Sequence, residues 1–123
     1  MNVITTEDKV SEFIIDLKRQ GKSIAFTNGC FDILHRGHVE YLESAKKKAD
    51  ILVLGLNSDA SVFRLKGANR PYIPENDRAF ILSRLEAVDI VCLFDEDTPL
   101  NLIKIVHPDF LIKGGDVIFH RPA

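Results

Sequence analysis

The chain has 123 residues, of which 46% are hydrophobic and 28% are charged, and its formal net charge at pH 7 is -2. These values are typical of a folded globular protein, exclude a fibrous or disordered chain, and predict a single domain over residues 1–123. A slightly negative chain has no general attraction for a polynucleotide, so a nucleic-acid partner is disfavoured. Any anion-binding surface must therefore be built locally from a few placed groups.

The cysteines and the hydropathy pattern predict a cytoplasmic protein. Cys30 and Cys92 are the two cysteines, and their spacing is not that of a disulfide framework or a paired-cysteine metal site. The sequence shows neither a basic segment followed by an apolar leader nor an apolar run long enough to span a bilayer. No contact with a membrane is therefore expected.

The first part of the chain alternates between helical and strand patterns. Apolar residues at roughly helical spacing from Ile4 to Leu17, followed by Gly21, predict a first helix. The short β-prone segment 23–27 then predicts a strand. After it, residues 38–48 have one apolar face and end in lysines, which the helix dipole favours at that terminus.

The rest of the chain continues the alternation. Residues 51–56, 89–94 and 109–113 are nearly continuous apolar runs, which are typical of strands buried on both faces of a parallel sheet. Helical patterns lie between these strands, at about 58–65, over 75–87 and onward from 98. The segment 66–74 is rich in Gly, Pro, Asn and basic residues, and we interpret it as a long functional loop.

This order of elements predicts right-handed βαβ units and hence an α/β fold, a Rossmann-like doubly wound parallel sheet flanked by helices. Ligands of such sheets bind at the carboxyl ends of the strands. The candidate positions are therefore the segments that follow the strands, which are 28–38, 57–59, 95–97 and 114–116.

The segment 30–38, CFDILHRGH, joins the first of these strands to a helix and carries His35 and His38 on either side of Gly37. Glycines in this loop permit tight turns, so free backbone N–H groups are expected to face the space above the sheet. Together with the positive end of the helix dipole they would form an anion site. Two imidazoles beside such donors suit a phosphate.

The residues alone leave three other interpretations of the histidine pair open. A zinc site would need Asp32 or Cys30 as a further ligand, and it is disfavoured because a helix N-terminus repels a cation. A nucleophilic Cys30 with a histidine base lacks a recognisable triad. The third possibility is that both histidines only pack.

The motif and its surroundings resemble the cytidylyltransferase-like nucleotidyltransferases. His35-Arg36-Gly37-His38 matches the HxGH signature of this superfamily, which is related to the class I aminoacyl-tRNA synthetases, and FTNGCFDIL at 26–34 is similar to its usual lead-in. From about Val10 to Asp116 the chain looks most like the adenylyltransferase domains that form ADP-heptose. The matching segments are NSDAS (57–61), RLKG (64–67), RP (70–71), DR (77–78), FDEDTP (94–99) and KGGD (113–116).

The resemblance implies an adenylyltransferase that uses ATP and Mg²⁺. An oxygen of a sugar 1-phosphate, heptose 1-phosphate, would attack the α-phosphorus of ATP in line, and pyrophosphate would leave. A phosphate monoester is largely ionised at neutral pH, so no general base is required. Catalysis then consists of positioning and charge stabilisation by imidazoles, amides, lysine and Mg²⁺. The resemblance also suggests a homodimer.

The resemblance assigns catalytic roles to three residues. His35 and His38 would contact the triphosphate, with His38 nearest the α-phosphate. Lys66 would close on the phosphates from its flexible loop, and its alternative is a solvated surface lysine. No protein ligand set for a resident metal is assigned.

The remaining assigned positions would bind the nucleotide. The backbone around Cys30 and Phe31 would line the phosphate pocket, and Asp32 would orient a histidine or meet the substrate. Arg78 is a further candidate, with an ion pair to Glu75 or a neighbouring aspartate as its alternative. Gly114 and Asp116 would lie by the nucleoside, with Asp116 at the ribose or base. The acidic segment 95–97 is interpreted as a solvated turn that caps a helix, without a site role.

The sequence departs from the family pattern after residue 116. Family members continue with another strand and a Ser/Thr-rich segment at a helix N-terminus, whereas this sequence continues as VIFHRPA (117–123). We therefore expect a C-terminally short fold without the second phosphate-binding segment. A CTP-dependent transferase acting on glycerol 3-phosphate or a similar alcohol phosphate stays open as an alternative, as does a non-catalytic nucleotide-binding or oligomerisation module.

Overall fold

The computed structural model describes residues 1–114 and 116–121, and within these ranges it contains six strands and five helices. The second glycine of the KGGD segment, residue 115, lies outside the described residues. The strands are β1 Val3–Thr6, β2 Ile24–Gly29, β3 Ile51–Asn57, β4 Ile90–Phe94, β5 Phe110–Lys113 and β6 Asp116–His120. The helices are α1 Val10–Arg19, α2 Arg36–Lys46, α3 Asp59–Lys66, α4 Glu75–Ser83 and α5 Leu100–Val106.

All six strands form one sheet in the order β1-β4-β3-β2-β5-β6. The pairs β1–β4, β4–β3, β3–β2 and β2–β5 are parallel, and β5–β6 is antiparallel. The predicted α/β architecture, with its four inner strands and the helices between them, is confirmed. In the part of the chain that the structure describes, every helix is too short or too polar to cross a membrane.

The prediction that the first helix includes Ile4 is wrong. Ile4 lies in β1 and is in register with Val91 of β4, and the helix begins only at Val10. The segment VITT at 3–6 is β-branched throughout, which favours an extended backbone over a helix. The helical spacing of Ile4 to the later apolar residues is therefore coincidental.

The prediction of an all-parallel sheet also needs correction, because β6 was not expected. This strand runs antiparallel to β5 and makes the sheet mixed. All five of its residues are exposed, and the ring of His120 stacks on Phe110 with centroids 4.4 Å apart. Its polar and apolar residues do not form the buried run that revealed the inner strands.

The core lies on both faces of the sheet, as a doubly wound fold requires. Alternate residues of β3 point to opposite faces, so Leu52, Leu54 and Leu56 join one cluster while Ile51 and Val53 join the other. The first cluster also contains residues of α2 and α4, and the second contains residues of α1 and α5. Burying each such aliphatic side chain stabilises the fold by about 1.5–3 kcal/mol. This packing fixes the strand ends that carry the candidate site.

Candidate active site

A cleft of about 740 Å³ lies at the carboxyl ends of the central strands. The end of β2 and the loop after it supply half of the lining, and the remainder comes from α2, the end of β3, the end of α3 with the loop after it, and the loop after β4. The residues that line the cleft are Asn28, Gly29, Cys30, Phe31, Asp32, Ile33, His35, His38, Tyr41, Asn57, Leu65, Lys66, Arg70 and Asp97. The cleft is therefore where the topology predicts a ligand.

His35 is the N-cap residue of α2, with an extended backbone at φ -135° and ψ 174°. Its ring folds back over the helix start, and Nδ1 accepts a hydrogen bond from the Gly37 backbone N–H at 3.0 Å. A Cβ at Gly37 would lie only 2.9 Å from Cε1 of the His35 ring. The glycine between the two histidines is thus required by the position of the His35 ring.

His38 completes a reciprocal cap at the same helix end. Its Nδ1 accepts a hydrogen bond from the His35 backbone N–H at 3.3 Å, and its ring stacks on the His35 ring with centroids 3.9 Å apart. The Phe31 ring makes a T-shaped contact with the His38 ring, at a centroid distance of 5.2 Å. His35 is exposed and His38 is half-buried, so neither is a core histidine.

The expectation of free backbone amides at this corner is wrong for three residues. The amides of His35 and Gly37 donate to imidazole nitrogens, and that of His38 donates to the His35 carbonyl at 3.0 Å. Because each Nδ1 is an acceptor, the proton of each neutral ring lies on Nε2. The donors offered to a ligand are therefore two imidazole N–H groups, each polarised by the backbone bond behind it.

The protonation of His38 follows from its surroundings. Partial burial lowers the pKa of His38 below its ordinary value, and the neighbouring His35 lowers it further. His38 is therefore neutral at pH 7, with Nδ1 engaged by the backbone and Nε2 protonated. In this form the ring is a hydrogen-bond donor to an anion, and it is not available as a general base through Nδ1.

The turn between β2 and α2 is shaped around Phe31. This residue adopts a left-handed backbone conformation with φ 44°, and its side chain is buried. A Cβ at Gly29 would lie 2.7 Å from Cε2 of the Phe31 ring, so the glycine makes room for it. The ring in turn supports His38. Cys30, between Gly29 and Phe31 in the chain, lines the cleft, and its carbonyl accepts a hydrogen bond from Arg78.

Asp32 connects the histidine loop to the loop after α3. Its side chain is only 1% exposed and accepts hydrogen bonds from Nε of Arg70 at 2.6 Å and from the backbone N–H groups of Tyr72 and Ile73 at 2.9 Å. Burial opposes ionisation of this carboxyl, but these hydrogen bonds outweigh it, and the pKa of Asp32 lies below its ordinary value. These bonds anchor the loop and include neither histidine, and a contact of Asp32 with the substrate stays a prediction.

These features can be compared with known proteins. The sequence profile of the family described as cytidylyltransferase-like matches residues 26–121, a range that contains the whole cleft. The chain belongs to the cytidylyltransferase-like family. The resemblance inferred from HRGH and its flanking segments is therefore confirmed, and with it membership of a nucleotidyltransferase family.

Two longer proteins contain a region similar to this chain. Bifunctional protein HldE of a Nitratiruptor species is 64% identical over 101 residues, which are 82% of this chain and 22% of that protein. Bifunctional protein HldE of Trichlorobacter lovleyi is 52% identical over 113 residues, 92% of this chain and 23% of that protein. The chain thus spans about a fifth of the length of these relatives.

A solved structure supports the fold independently. The crystal structure of the lipopolysaccharide core biosynthesis protein from Thermoplasma volcanium GSS1 superposes with a TM-score of 0.67 at 36% sequence identity. The match covers 74% of this chain and 73% of that one. The cytidylyltransferase-like architecture is therefore shared over most of both molecules.

Two basic residues assigned from the family pattern have different surroundings. Lys66 is the last residue of α3, is exposed and lines the cleft, as a phosphate-binding lysine should. The Arg78 side chain is 1% exposed and donates to the carbonyls of Ile73, Cys30 and Asn57 and to Oδ1 of Asp59, each at 2.8 Å. Of the alternatives, the ion pair with a neighbouring aspartate is the one observed. A nucleotide contact by Arg78 stays a prediction without structural support.

The two assigned residues of the KGGD segment lie apart from the cleft lining. Gly114 has a left-handed backbone with φ 61° just after β5, and Asp116 begins β6 and is exposed. Both are at the carboxyl end of β5, next to β2 in the sheet, which is the end of the strands where ligands of such folds bind. Their contact with the base or ribose stays a prediction.

Several cleft residues receive no role from the sequence, although Asn28, Asn57 and Asp97 lie in the strand-end segments that the topology predicts to meet a ligand. Asn28, Tyr41, Asn57 and Arg70 line the cleft without having been assigned, and Asp97 does so although its segment was interpreted as a solvated turn. The position of Asn57 is indicated by the sequence, because this polar residue directly follows the apolar run of a buried strand. The side-chain position of Tyr41, one turn into α2, depends on tertiary packing that a pattern does not encode.

The carboxylates of the cleft are already committed to protein partners. Asp32 is held by the Arg70 loop, and Asp97 accepts from Nε of Arg64 at 2.8 Å. Among residues 1–114 and 116–121, no group of three or more His, Cys, Asp or Glu side chains is arranged to hold a metal ion. Mg²⁺ prefers oxygen ligands and retains several waters. Binding of Mg²⁺ together with the phosphates of a nucleotide stays a prediction.

Proposed function

We propose that the chain is an adenylyltransferase that transfers AMP from ATP to heptose 1-phosphate and releases pyrophosphate. The observation that carries this proposal is the reciprocal histidine cap of α2, in which His35 and His38 each accept a backbone N–H on Nδ1 and retain a proton on Nε2. Two such donors at a helix N-terminus form a site for phosphate oxygens. Family membership and the similarity to HldE proteins support the reaction class and the sugar substrate.

The proposed chemistry requires no base. The ionised phosphate oxygen of the acceptor attacks the α-phosphorus of ATP, the new P–O bond forms as the bond to the β-phosphate oxygen breaks, and pyrophosphate carries away the electron pair. Charge develops on the equatorial oxygens of the α-phosphorus, where His38 donates through Nε2–H. His35 is stacked against it and donates to a neighbouring phosphate, and Lys66 adds a mobile positive charge. Mg²⁺, if it enters with the triphosphate, would supply charge neutralisation for the leaving pyrophosphate.

One assay tests both the phosphate acceptor and the nucleobase of the donor nucleotide. The purified chain is incubated with Mg²⁺ and with ATP or CTP, each combined with heptose 1-phosphate or glycerol 3-phosphate, and pyrophosphate release is measured. We expect turnover with ATP and heptose 1-phosphate. The cytidylyltransferase-like description of the family keeps CTP as the second candidate, and a clear preference for CTP with glycerol 3-phosphate would replace the proposal by that alternative.

A binding module without catalysis is the third possibility, because the chain spans about a fifth of its curated relatives. ATP binding by calorimetry, without pyrophosphate release under any of the four combinations, would identify such a module. Sedimentation in the same buffer tests the homodimer that the family resemblance suggests. Each of these results is independent of the others.

A further inference from the structure

Arg70 is a basic residue of the cleft to which neither the motif nor the family resemblance assigns a role. It lies in the loop between α3 and α4, and its side chain is 30% exposed. The same cleft contains His35 and His38, and Asp32, which holds Arg70, precedes His35 by three residues. Arg70 is therefore an arginine that lines the same cleft as the histidine pair.

The guanidinium of Arg70 is held in place from two directions. Nε donates to Oδ2 of Asp32 at 2.6 Å, and the guanidinium carbon lies 4.7 Å from the centre of the Tyr72 ring. Asp32 is itself fixed by the backbone N–H groups of Tyr72 and Ile73. A planar cation held by a buried carboxylate and an aromatic face loses little further freedom when it binds a ligand.

A comparison with Arg78 shows what Arg70 has left to offer. Arginine has five N–H donors. In Arg78 the nitrogens Nε, Nη1 and Nη2 all donate to protein acceptors, and the side chain is 1% exposed. In Arg70 only Nε does so among the described residues, which leaves Nη1 and Nη2 without a protein acceptor there. Arg78 therefore serves the fold, and Arg70 retains the outer edge of its guanidinium in the cleft.

We propose that Arg70, positioned by Asp32 and Tyr72, binds the phosphate of the acceptor and so forms a subsite for a phosphate monoester. This inference rests on the proposed nucleotidyl transfer, which brings two anions together. The imidazoles at the α2 terminus supply donors for the triphosphate, so the second anion needs a separate cation. Two parallel N–H donors on a guanidinium edge match two phosphate oxygens, whereas Lys66 supplies a mobile point charge.

Steady-state kinetics on Arg70→Lys and Arg70→Gln test the subsite. We expect the KM for the sugar phosphate to rise by about 10- to 100-fold, as the loss of a charge-assisted pair predicts, while the KM for ATP changes by less than about twofold. Arg84→Lys is the matched control, because Arg84 also lies over an aromatic ring, that of Phe80, but outside the cleft. A rise in the KM for ATP alone would assign Arg70 to the nucleotide and overturn the inference.

A structural role makes a different prediction. If Arg70 only holds its loop, Arg70→Lys and Arg70→Gln lower the melting temperature and raise both KM values together, which also overturns the inference. We expect instead that the thermal midpoint of Arg70→Lys stays close to that of the unaltered chain while the KM for the acceptor rises.

Binding of inorganic phosphate separates this inference from the proposed function. If the unaltered chain releases no pyrophosphate with any substrate pair, the proposed function fails, but calorimetric titration with phosphate still reports on Arg70. An affinity that weakens by about tenfold or more in Arg70→Gln and not in Arg84→Lys supports the anion subsite. Equal phosphate affinity in all three proteins overturns it, whether or not the chain turns over.

Discussion

The two ends of the sheet use polar side chains in opposite ways. At the amino ends, three aspartates that precede strands each accept a backbone N–H from a residue in, or directly before, a neighbouring strand. Asp50 accepts from Ser23 at 2.9 Å, Asp89 from Leu52 at 2.8 Å, and Asp109 from Ile24 at 2.8 Å. These carboxylates thereby align neighbouring strands at their amino ends and leave little capacity for a ligand.

In the cleft at the carboxyl ends, the polar side chains are instead mainly hydrogen-bond donors, and they are available to a ligand. The side chains of the cleft that can meet a ligand are mainly donors, namely the imidazoles of His35 and His38, Lys66 and the outer edge of Arg70. The acids there, Asp32 and Asp97, are held by arginines. The same strands thus support a closed amino end, where carboxylates stabilise the fold, and an open carboxyl end, where the donors of the cleft suit phosphates.

The largest expected effect comes from removing a donor at the open end. His38→Ala should lower kcat for pyrophosphate release by about 10²- to 10³-fold, as for other donors aimed at developing charge. The free energy of unfolding should fall by only about 1 kcal/mol, the usual contribution of a cap. Kinetics and urea unfolding of the same preparation measure both values. A loss of stability that accounts for the loss of activity would support histidines that only pack.

The second substitution is at the amino ends of the strands and is expected to lower stability without lowering activity. Asp89→Ala removes the acceptor of the buried Leu52 N–H and the partner of Lys46, so we expect a loss of about 2–3 kcal/mol in the free energy of unfolding. The KM for ATP and kcat should stay unchanged below the melting temperature. Asp89→Asn, which retains an acceptor oxygen, should lose less. If Asp89→Ala lowers kcat while its fold remains intact, the two ends are coupled and the comparison fails.

A third substitution, at Gly37, is expected to lower activity without lowering stability. Gly37→Ala places a Cβ 2.9 Å from Cε1 of His35, so the ring must move, and we expect kcat to fall by about tenfold. Alanine is a better helix former than glycine by about 1 kcal/mol, so the protein should be no less stable. Ser44→Ala, on an exposed turn of the same helix, is the control for the helix propensity alone. Unchanged turnover in Gly37→Ala would show that the His35 ring position does not matter.

The sequence predicted the buried inner strands of the sheet better than its edge strands. The buried runs at 51–56 and 89–94 indicate strands because both faces are apolar. At the edges of the sheet, β1 has mixed burial and β6 is exposed throughout, so neither has such a run. The HRGH motif located the site. Its geometry was not predictable, because which atoms of His35 and His38 face the backbone depends on the exact start of α2.

The two arginines illustrate the same limit. In the sequence both are basic residues within segments that match the family, and Arg78 was the one assigned to the nucleotide. The structure buries Arg78 among backbone carbonyls and leaves Arg70 in the cleft. That difference arises from how the loop 67–74 folds onto Asp32, a contact between residues about 40 positions apart that no local pattern encodes.

The smallest expected effect is a pH dependence that arises at the open end. His38 has a folded-state pKa below its ordinary value of 6.5, so the unfolded chain binds more protons between the two values. The contribution of His38 to stability is then complete above pH about 6.5 and is lost as the pH falls towards the folded pKa. NMR titration of the His38 ring should give a pKa below 6.5. Because burial is the larger cause and His35 the smaller, His35→Gln should restore only part of the shift, and complete restoration would mean that repulsion between the stacked rings is the dominant cause.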